Sequence, residues 1–466
     1  MEVNLMLDKY PVLQEGTSFH LWPNRGFLSY TTTPDVPRTT LAYNRSASAI
    51  LTRFDGSHQI VDIIRELAQD FHTDEQEVTS MILGFVHESL EKIPMQLSDV
   101  PMTKTFRVTG DTRFITPMHA SIELTYQCNL RCQHCYAQCG SRRLETMSLE
   151  NTHKLLDILE SWGVTVIELT GGEPTINVGF VETLVHAMQL FDLVGIVTNG
   201  THFSGEIADV IAASPKKVAV QVDLHGCSEE YVDWFTGGIG TFKKEKATIR
   251  ELAKLGTITR VAMVVTPKSL SQVRETASLA KSLGATVFGI SPVIPQGRGC
   301  DTSLLFSVKE YQTFIEMWNK LRQEFGNFIF HLEESPAAMA TIPKHCGAGA
   351  RSVSITPSGE VKMCQMSSTK MLSFGNAFEL PASEIFGNGL AAHIANLTPP
   401  NSDVCGACDK FGFCINCINR GLMMATQSGR GTCKWYMECA GELSQFGISP
   451  MAAVRSRTTH RSSCAS

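Results

Sequence analysis

Ser121-Ile-Glu-Leu-Thr125 runs through Tyr126 and Gln127 straight into Cys128-Asn-Leu-Arg-Cys132-Gln-His-Cys135, an apolar strand that delivers three cysteines on one loop. Three thiolates can hold three irons of a four-iron cluster and leave the fourth iron open to a ligand. The same three residues also suit zinc, with a histidine such as His134 as the fourth ligand. Which metal applies depends on what surrounds the loop.

Working outward, five more apolar runs follow: Val164-Thr-Val-Ile-Glu-Leu-Thr170, Leu193-Val-Gly-Ile-Val-Thr198, Val218-Ala-Val-Gln-Val-Asp-Leu224, Thr259-Arg-Val-Ala-Met-Val-Val265 and Thr286-Val-Phe-Gly-Ile290. Helical stretches alternate with them, for example Ser148–Trp162, with Ser148 as N-cap and Gly163 as stop. Six repeats between Ala120 and Pro295 predict an α/β fold with a parallel sheet, open or curled into a partial barrel. The site of such a fold lies at the C-terminal ends of its strands. Polar residues collect there: Gly171-Gly172-Glu173-Pro174, Thr198-Asn199-Gly200 and Gln221-Val-Asp223. Small residues let backbone approach a ligand, and a carboxylate accepts from an ammonium. Each motif alone equally reads as a turn or a satisfied core polar group.

The chain holds fifteen cysteines, none before Cys128. Four fall in Cys128–Cys139 and seven in Cys346–Cys433, with Cys439 just behind. Clustered thiols in a reducing compartment bind metal more often than they pair. The second set reads Cys346-Gly-Ala-Gly, then Pro357-Ser-Gly-Glu-Val-Lys-Met-Cys364, then Cys405-x2-Cys408-x5-Cys414-x2-Cys417, then Cys433. Its Cys-x2-Cys pairs alternatively suit a zinc ribbon. Cys139, Cys227, Cys300, Cys439 and Cys464 fit no ligand set cleanly, although Cys439 is a substitute ligand.

With 466 residues the chain exceeds one ordinary core, so two or three domains are expected. Its 40 basic and 46 acidic side chains give a net charge of −6, which points away from a nucleic-acid partner. The N-terminus mixes Glu2, Asp8 and Lys9 among apolar residues, unlike a signal peptide, and no apolar run is long enough to span a bilayer. A cytoplasmic protein is expected. Before the first cysteine, Phe19–Trp22 and Gly26–Thr31 read as paired strands about an Asn24-bearing turn, followed by helices over Ser46–Phe54, His58–Phe71 and Thr73–Ile93. Boundaries are expected at 1–108, 112–300, 301–345 (a bridge carrying a helix over Phe306–Phe325), 346–440 and 441–466, the last a disordered tail.

Taken together, the cysteine loop and the Gly-Gly-Glu-Pro strand end resemble the radical S-adenosylmethionine superfamily over about Ile115 to Arg298, which implies a partial (β/α)6 barrel. The resemblance implies that Cys128, Cys132 and Cys135 bind the catalytic cluster and that the open iron chelates the methionine moiety of S-adenosylmethionine. By the same carry-over His134 takes the aromatic position beside the adenine and Glu173 meets the ammonium. Gly171, Gly172, Asn199 and Gln221 complete the cofactor pocket, and Asp223 stands where many relatives have serine. The C-terminal cysteines resemble the SPASM extension. They imply one auxiliary cluster on Cys405, Cys408, Cys414 and Cys433 and another on Cys346, Cys364 and Cys417, three [4Fe-4S] clusters in all. Cys414-x2-Cys417 is one residue shorter than the usual pattern. The first domain resembles the winged-helix-like recognition domains of ribosomal peptide maturases through Leu41-Ala-Tyr-Asn44 and Ile50-Leu-Thr-Arg-Phe-Asp55-Gly56. There a leader peptide adds as a strand to the hairpin edge. The implied activity is thioether formation, as in the sactipeptide and ranthipeptide families, with flavodoxin or ferredoxin as electron donor. Carbon–carbon cross-linking and epimerisation are the close rivals. Sulfatase maturation is disfavoured because Gln365 stands where those relatives carry aspartate after Cys364. A zinc-bound, non-catalytic peptide-binding scaffold is the rival from another class.

Overall fold

A computed structural model describes residues 6–30, 39–102, 106–140, 143–329, 345–368, 372–428 and 433–447. It divides into two compact units, one built on Met1–Thr116 and the other on Pro117–Ser335 with Lys344–Ser466.

In the first unit, β1 (Tyr10–Leu13) pairs antiparallel with β5 (Met95–Ser98). A separate sheet has the order β4-β3-β2-β6, from β4 (Thr39–Asn44), β3 (Arg25–Tyr30), β2 (Ser18–Trp22) and β6 (Arg107–Gly110). The expected hairpin is β2–β3, but neither of its edges is open. β4 covers one antiparallel and β6 covers the other in parallel register. A peptide adding as a strand therefore meets β4 or β6, not the hairpin. The unit runs on to Thr116 because that residue's carbonyl accepts from the Trp22 indole at 2.8 Å and contacts His20 Nε2 at 3.1 Å. Helices α1 (Arg45–Leu51), α2 (Ile60–Phe71) and α3 (Glu75–Lys92) bury Ile50, Leu51, Ile60, Ile63, Ile64 and Leu67 against Phe19 and Leu28. The spacing of the α2 residues is that of one helical face.

The second unit is organised by β7 (His119–Thr125), β8 (Val166–Gly171), β9 (Leu193–Thr198), β10 (Val218–Asp223), β11 (Ile258–Val265) and β12 (Val287–Pro292), all parallel neighbours in that order. Helices α4 to α9 (Leu149–Ser161, Phe180–Leu190, Gly205–Ala213, Glu229–Thr236, Thr241–Leu255, Val273–Ser282) separate them. α4 begins as its sequence predicts: the Ser148 hydroxyl accepts from Asn151 N at 3.2 Å, and Gly163 beyond its end takes φ +85°. Along β10 the residues Val218, Val220 and Val222 are buried, while Gln221 and Asp223 alternate onto the cavity face.

The sheet continues past the six expected strands. β13 (Ser352–Ile355) adds parallel to β7, and β14 (Glu360–Lys362) and β15 (Ser373–Asn376) follow antiparallel, for nine strands among the described residues. Pro357-Ser-Gly359 makes the turn between β13 and β14, and Glu360 opens β14. The bridging helix α10 covers Val308–Phe325 and opens with a capping box on Ser307 and Glu310. A final helix spans Lys434–Ser444, past the expected start of the tail at 441, because Trp435, Cys439 and Leu443 are buried along one face. Residues 448–466, with Cys464, lie outside the described part.

Candidate active site

The β7 strand ends in the first cysteine loop, and the C-terminal ends of β8 to β12 close around it. A cavity of about 280 Å³ there is lined by Cys128, Cys132, His134 and Cys135, by Gly171, Gly172, Asn199, Gln221 and Asp223, and by Arg260, Arg298 and Gln365. Nine of the ten barrel residues singled out in the sequence thus face one space. The tenth, Glu173, is fully buried and stands outside this lining.

Glu173 is nonetheless held tightly. Its Oε1 accepts from Thr175 N at 3.1 Å, Thr175 Oγ1 at 2.6 Å and Thr198 Oγ1 at 2.7 Å; its Oε2 accepts from Asn199 N at 2.7 Å. A carboxylate offers about four lone-pair sites, so Oε2 retains room for one more donor. Burial pushes its pKa up while these bonds pull it down. The two glycines serve packing as well as ligand approach. A Cβ on Gly172 would fall 2.0 Å from Gln127 O, and one on Gly171 2.2 Å from Thr125 O.

The loop is fastened on several sides. Arg131 N and Gln133 N donate to the carbonyls of Thr236 and Phe235 at 2.9 and 2.8 Å. Arg298 donates from Nε to Cys132 O at 2.8 Å and from Nη1 to Cys139 O at 3.0 Å. Sequence reasoning gave Arg298 no role. The available signal was Gly297-Arg298-Gly299 just past the sixth strand: Gly297 has φ +63°, and a Cβ there would lie 2.4 Å from Tyr136 O. Cys139, which fits no ligand set, also lines the cavity, and its thiol donates to Gly171 O at 3.9 Å. Its proximity brings the Cys135 thiol down to about 6, whereas burial pushes Cys128 up to about 11.

His134 stacks on Phe235 at 4.7 Å and 15°, with His225 edge-on at 4.7 Å. Burial lowers the pKa of both imidazoles, His225 to about 3, where its Nδ1 accepts from Val264 N at 3.2 Å. His134 Nδ1 is buried with no protein partner among the described residues. Asp223 is raised to about 7 by burial, with Gln221 Nε2 donating to it at 3.4 Å.

The C-terminal cysteines fall into two neighbourhoods. Cys364 feels the charge of Cys417 and Cys346, while Cys414 feels Cys433, Cys408 and Cys405 more strongly than Cys417. The short Cys414-x2-Cys417 spacing has a local reason. Ile415 at φ −45° and ψ 131°, Asn416 at φ +56° and a 3.0 Å bond from Cys417 N to Cys414 O make a type II turn. Cys439 bonds instead to its own helix, at the Trp435 carbonyl 3.2 Å away.

The Radical SAM superfamily model matches residues 122–280, and the SPASM model, an iron-sulfur cluster-binding domain, matches 346–409. The mycofactocin maturase MftC of Mycolicibacterium smegmatis is 30% identical over 305 residues, 64% of this chain and 77% of that protein. The chain belongs to the radical SAM superfamily and carries a SPASM domain. Its similarity to the antilisterial bacteriocin subtilosin biosynthesis protein AlbA of Bacillus subtilis is longer, 29% identical over 436 residues, 91% of this chain and 96% of that one. In fold it is similar to Streptococcus suis SuiB, solved bound to the precursor peptide SuiA, with a TM-score of 0.62 and 14% identity over 89% of this chain and 97% of that one.

These two domains imply S-adenosylmethionine and [4Fe-4S] clusters. The residues fit. Three sulfur donors share one cavity wall with open space before them, and the unpartnered His134 nitrogen offers a polar contact beside it.

Proposed function

We propose that this enzyme matures a ribosomally made precursor peptide by joining a cysteine sulfur to carbon in a thioether. Cys128, Cys132 and Cys135 would hold the catalytic cluster. Cys346, Cys364 and Cys417 would hold one auxiliary cluster, and Cys405, Cys408, Cys414 and Cys433 the other. The bound cluster and S-adenosylmethionine supply a reductive cleavage whose 5′-deoxyadenosyl product takes hydrogen from carbon. In the net reaction carbon loses one hydrogen to 5′-deoxyadenosine and sulfur loses a proton. Methionine is released, and the electron first supplied is returned as the bond forms. An acidic one-electron carrier of the flavodoxin or ferredoxin class would supply that electron in the reducing cytoplasm.

The observation that carries this reading is that two cysteine loops meet at one cavity. Gln365 and Met366, directly after Cys364, line the space lined by Cys128, Cys132 and Cys135. Gln365 is fixed there by donating to Glu168 at 2.7 Å. A peptide whose carbon is activated in the barrel has its thiol within reach of the Cys364 loop. Arg298 and the Gly171-Gly172 turn keep the first loop in place. The first unit, whose sheet ends in β4 and β6 among the described residues, would bind the leader and so raise the local concentration of the core.

The test is mass spectrometry of a cysteine-containing precursor after anaerobic incubation with reconstituted enzyme, reductant and S-adenosylmethionine. Thioether formation predicts loss of two hydrogens per cysteine, with those thiols no longer alkylatable. The same loss with free thiols would establish carbon–carbon bonding instead, and an unchanged mass would point to epimerisation.

A further inference from the structure

We infer that a groove between the segment following the first cysteine loop and the Thr356–Ser368 segment admits the core of the precursor, as an extended, polar stretch of peptide, to the barrel cavity. This rests on the peptide-maturing reading and adds the route and the kind of sequence that fits it.

The groove has a volume of about 390 Å³, within the range of ligand sites. Arg143 and Glu145 stand on one wall, and Thr356, Ser358 and Ser367 on the other. Tyr136 and Gln365 line both the groove and the barrel cavity, so the two spaces meet at that pair. Whatever lies in the groove reaches the reacting carbon between the three-cysteine loop and the loop of Cys364.

The chemistry of the walls selects the occupant. At the base, Lys362 donates to Glu123 at 2.8 Å and to the Gln365 carbonyl at 3.0 Å, and Glu123 accepts from Tyr126 Oη at 2.5 Å. The side chains of this ion pair are 6% and 3% exposed. The pair is satisfied internally, so it does not call for a charged ligand. Arg143 sits over the Tyr126 ring, its Cζ 3.4 Å from the centroid, and donates from Nη1 to Ala137 O at 3.2 Å, which fixes its guanidinium as part of the wall. What remains is a surface of hydroxyls, amides and charges of both signs, matched to a main chain with alternating donors and acceptors and to small polar side chains. These groups already hold one another, Thr356 Oγ1 with Ser358 Oγ at 2.9 Å and Ser367 Oγ with the Cys364 carbonyl at 2.7 Å, so the lining offers an apolar stretch no matching surface and a polar one further lone pairs and donors. Gln365 is anchored to Glu168, which also accepts from Ser121 Oγ at 2.8 Å, so the narrow junction with the cavity is built on the barrel itself.

The experiment places benzoylphenylalanine at Glu145 or at Ser358, both exposed, and at the exposed Ile239 away from the groove as a control. Each full-length enzyme is irradiated with the full precursor and the adducts are mapped. Glu145 and Ser358 should link to the core segment, and Ile239 should not. Ser358→Trp should raise the KM for the peptide about tenfold, the equivalent of roughly 1.4 kcal/mol of binding. Thioether formation by the wild-type enzyme with no core adduct from either groove position, or adducts only to the leader, would overturn the groove. Core adducts without thioether would sustain the groove and overturn the reaction assigned above.

Discussion

The first cysteine loop and the C-terminal cysteines are held by different means. Around Cys128–Cys135 the fold itself supplies the fastening: the Arg298 guanidinium on two loop carbonyls, the end of α7 on two loop amides, and two glycines beneath. Cys405 and Cys414 instead end helices of four residues, Ser402–Cys405 and Phe411–Cys414, and Cys408 is exposed. Helices that short are marginal in water. On the proposed ligand assignment one cluster would enter a prepared socket, and the other would help to order its own surroundings.

The largest effect that tests this contrast comes from replacing Cys128, Cys132 and Cys135 together with alanine. Formation of 5′-deoxyadenosine should cease while auxiliary iron remains; retained cleavage would refute the ligand assignment. Next in size, removing iron with a chelator should expose residues 402–428 to protease and leave the barrel resistant, as followed by peptide mapping. Equal protection of both regions would erase the distinction. Arg298→Ala leaves the Cys139 carbonyl without its donor, at about 1–3 kcal/mol, and the Cys132 carbonyl with only the 3.3 Å bond from Cys135 N. Iron should then leave the first site faster under chelation, with auxiliary iron unaffected. Arg298→Lys should restore little, since one ammonium cannot reproduce the planar fork.

The smallest effect is at Asp223, raised by burial from the ordinary 3.8 to about 7. A raised carboxyl disfavours its ionised form in the fold, so its cost to stability grows from about pH 4 and is complete above about pH 7. Asp223→Asn should therefore match wild type at pH 4 and exceed it in Tm at pH 8. A constant difference across that range would deny the titration.

The six barrel strands and the first cysteine loop were legible because period-two apolar runs and fixed cysteine spacing are local signals. The extension by β13 to β15 was not, since strands of three or four residues carry little periodicity and β13 pairs with β7, more than two hundred residues earlier. Arg298 was hidden for a similar reason: its bonds cross 166 and 159 residues of sequence. That β6 rather than β2 forms one edge of this sheet among the described residues depends on a parallel pairing of β2 with β6 across the three helices, which no hairpin signal announces. The turn at Asn416, with its positive φ, was equally hidden, and the assignment of Cys417 to a cluster still rests on resemblance.

If the two cysteine regions divide one reaction, Cys364→Ala separates its halves, as read by the ratio of thioether formed to 5′-deoxyadenosine released. Cleavage should stay near the wild-type rate with cross-linking suppressed, so that the ratio falls toward zero. An unchanged ratio would contradict that division, because the Cys364 site would then have no part in making the bond.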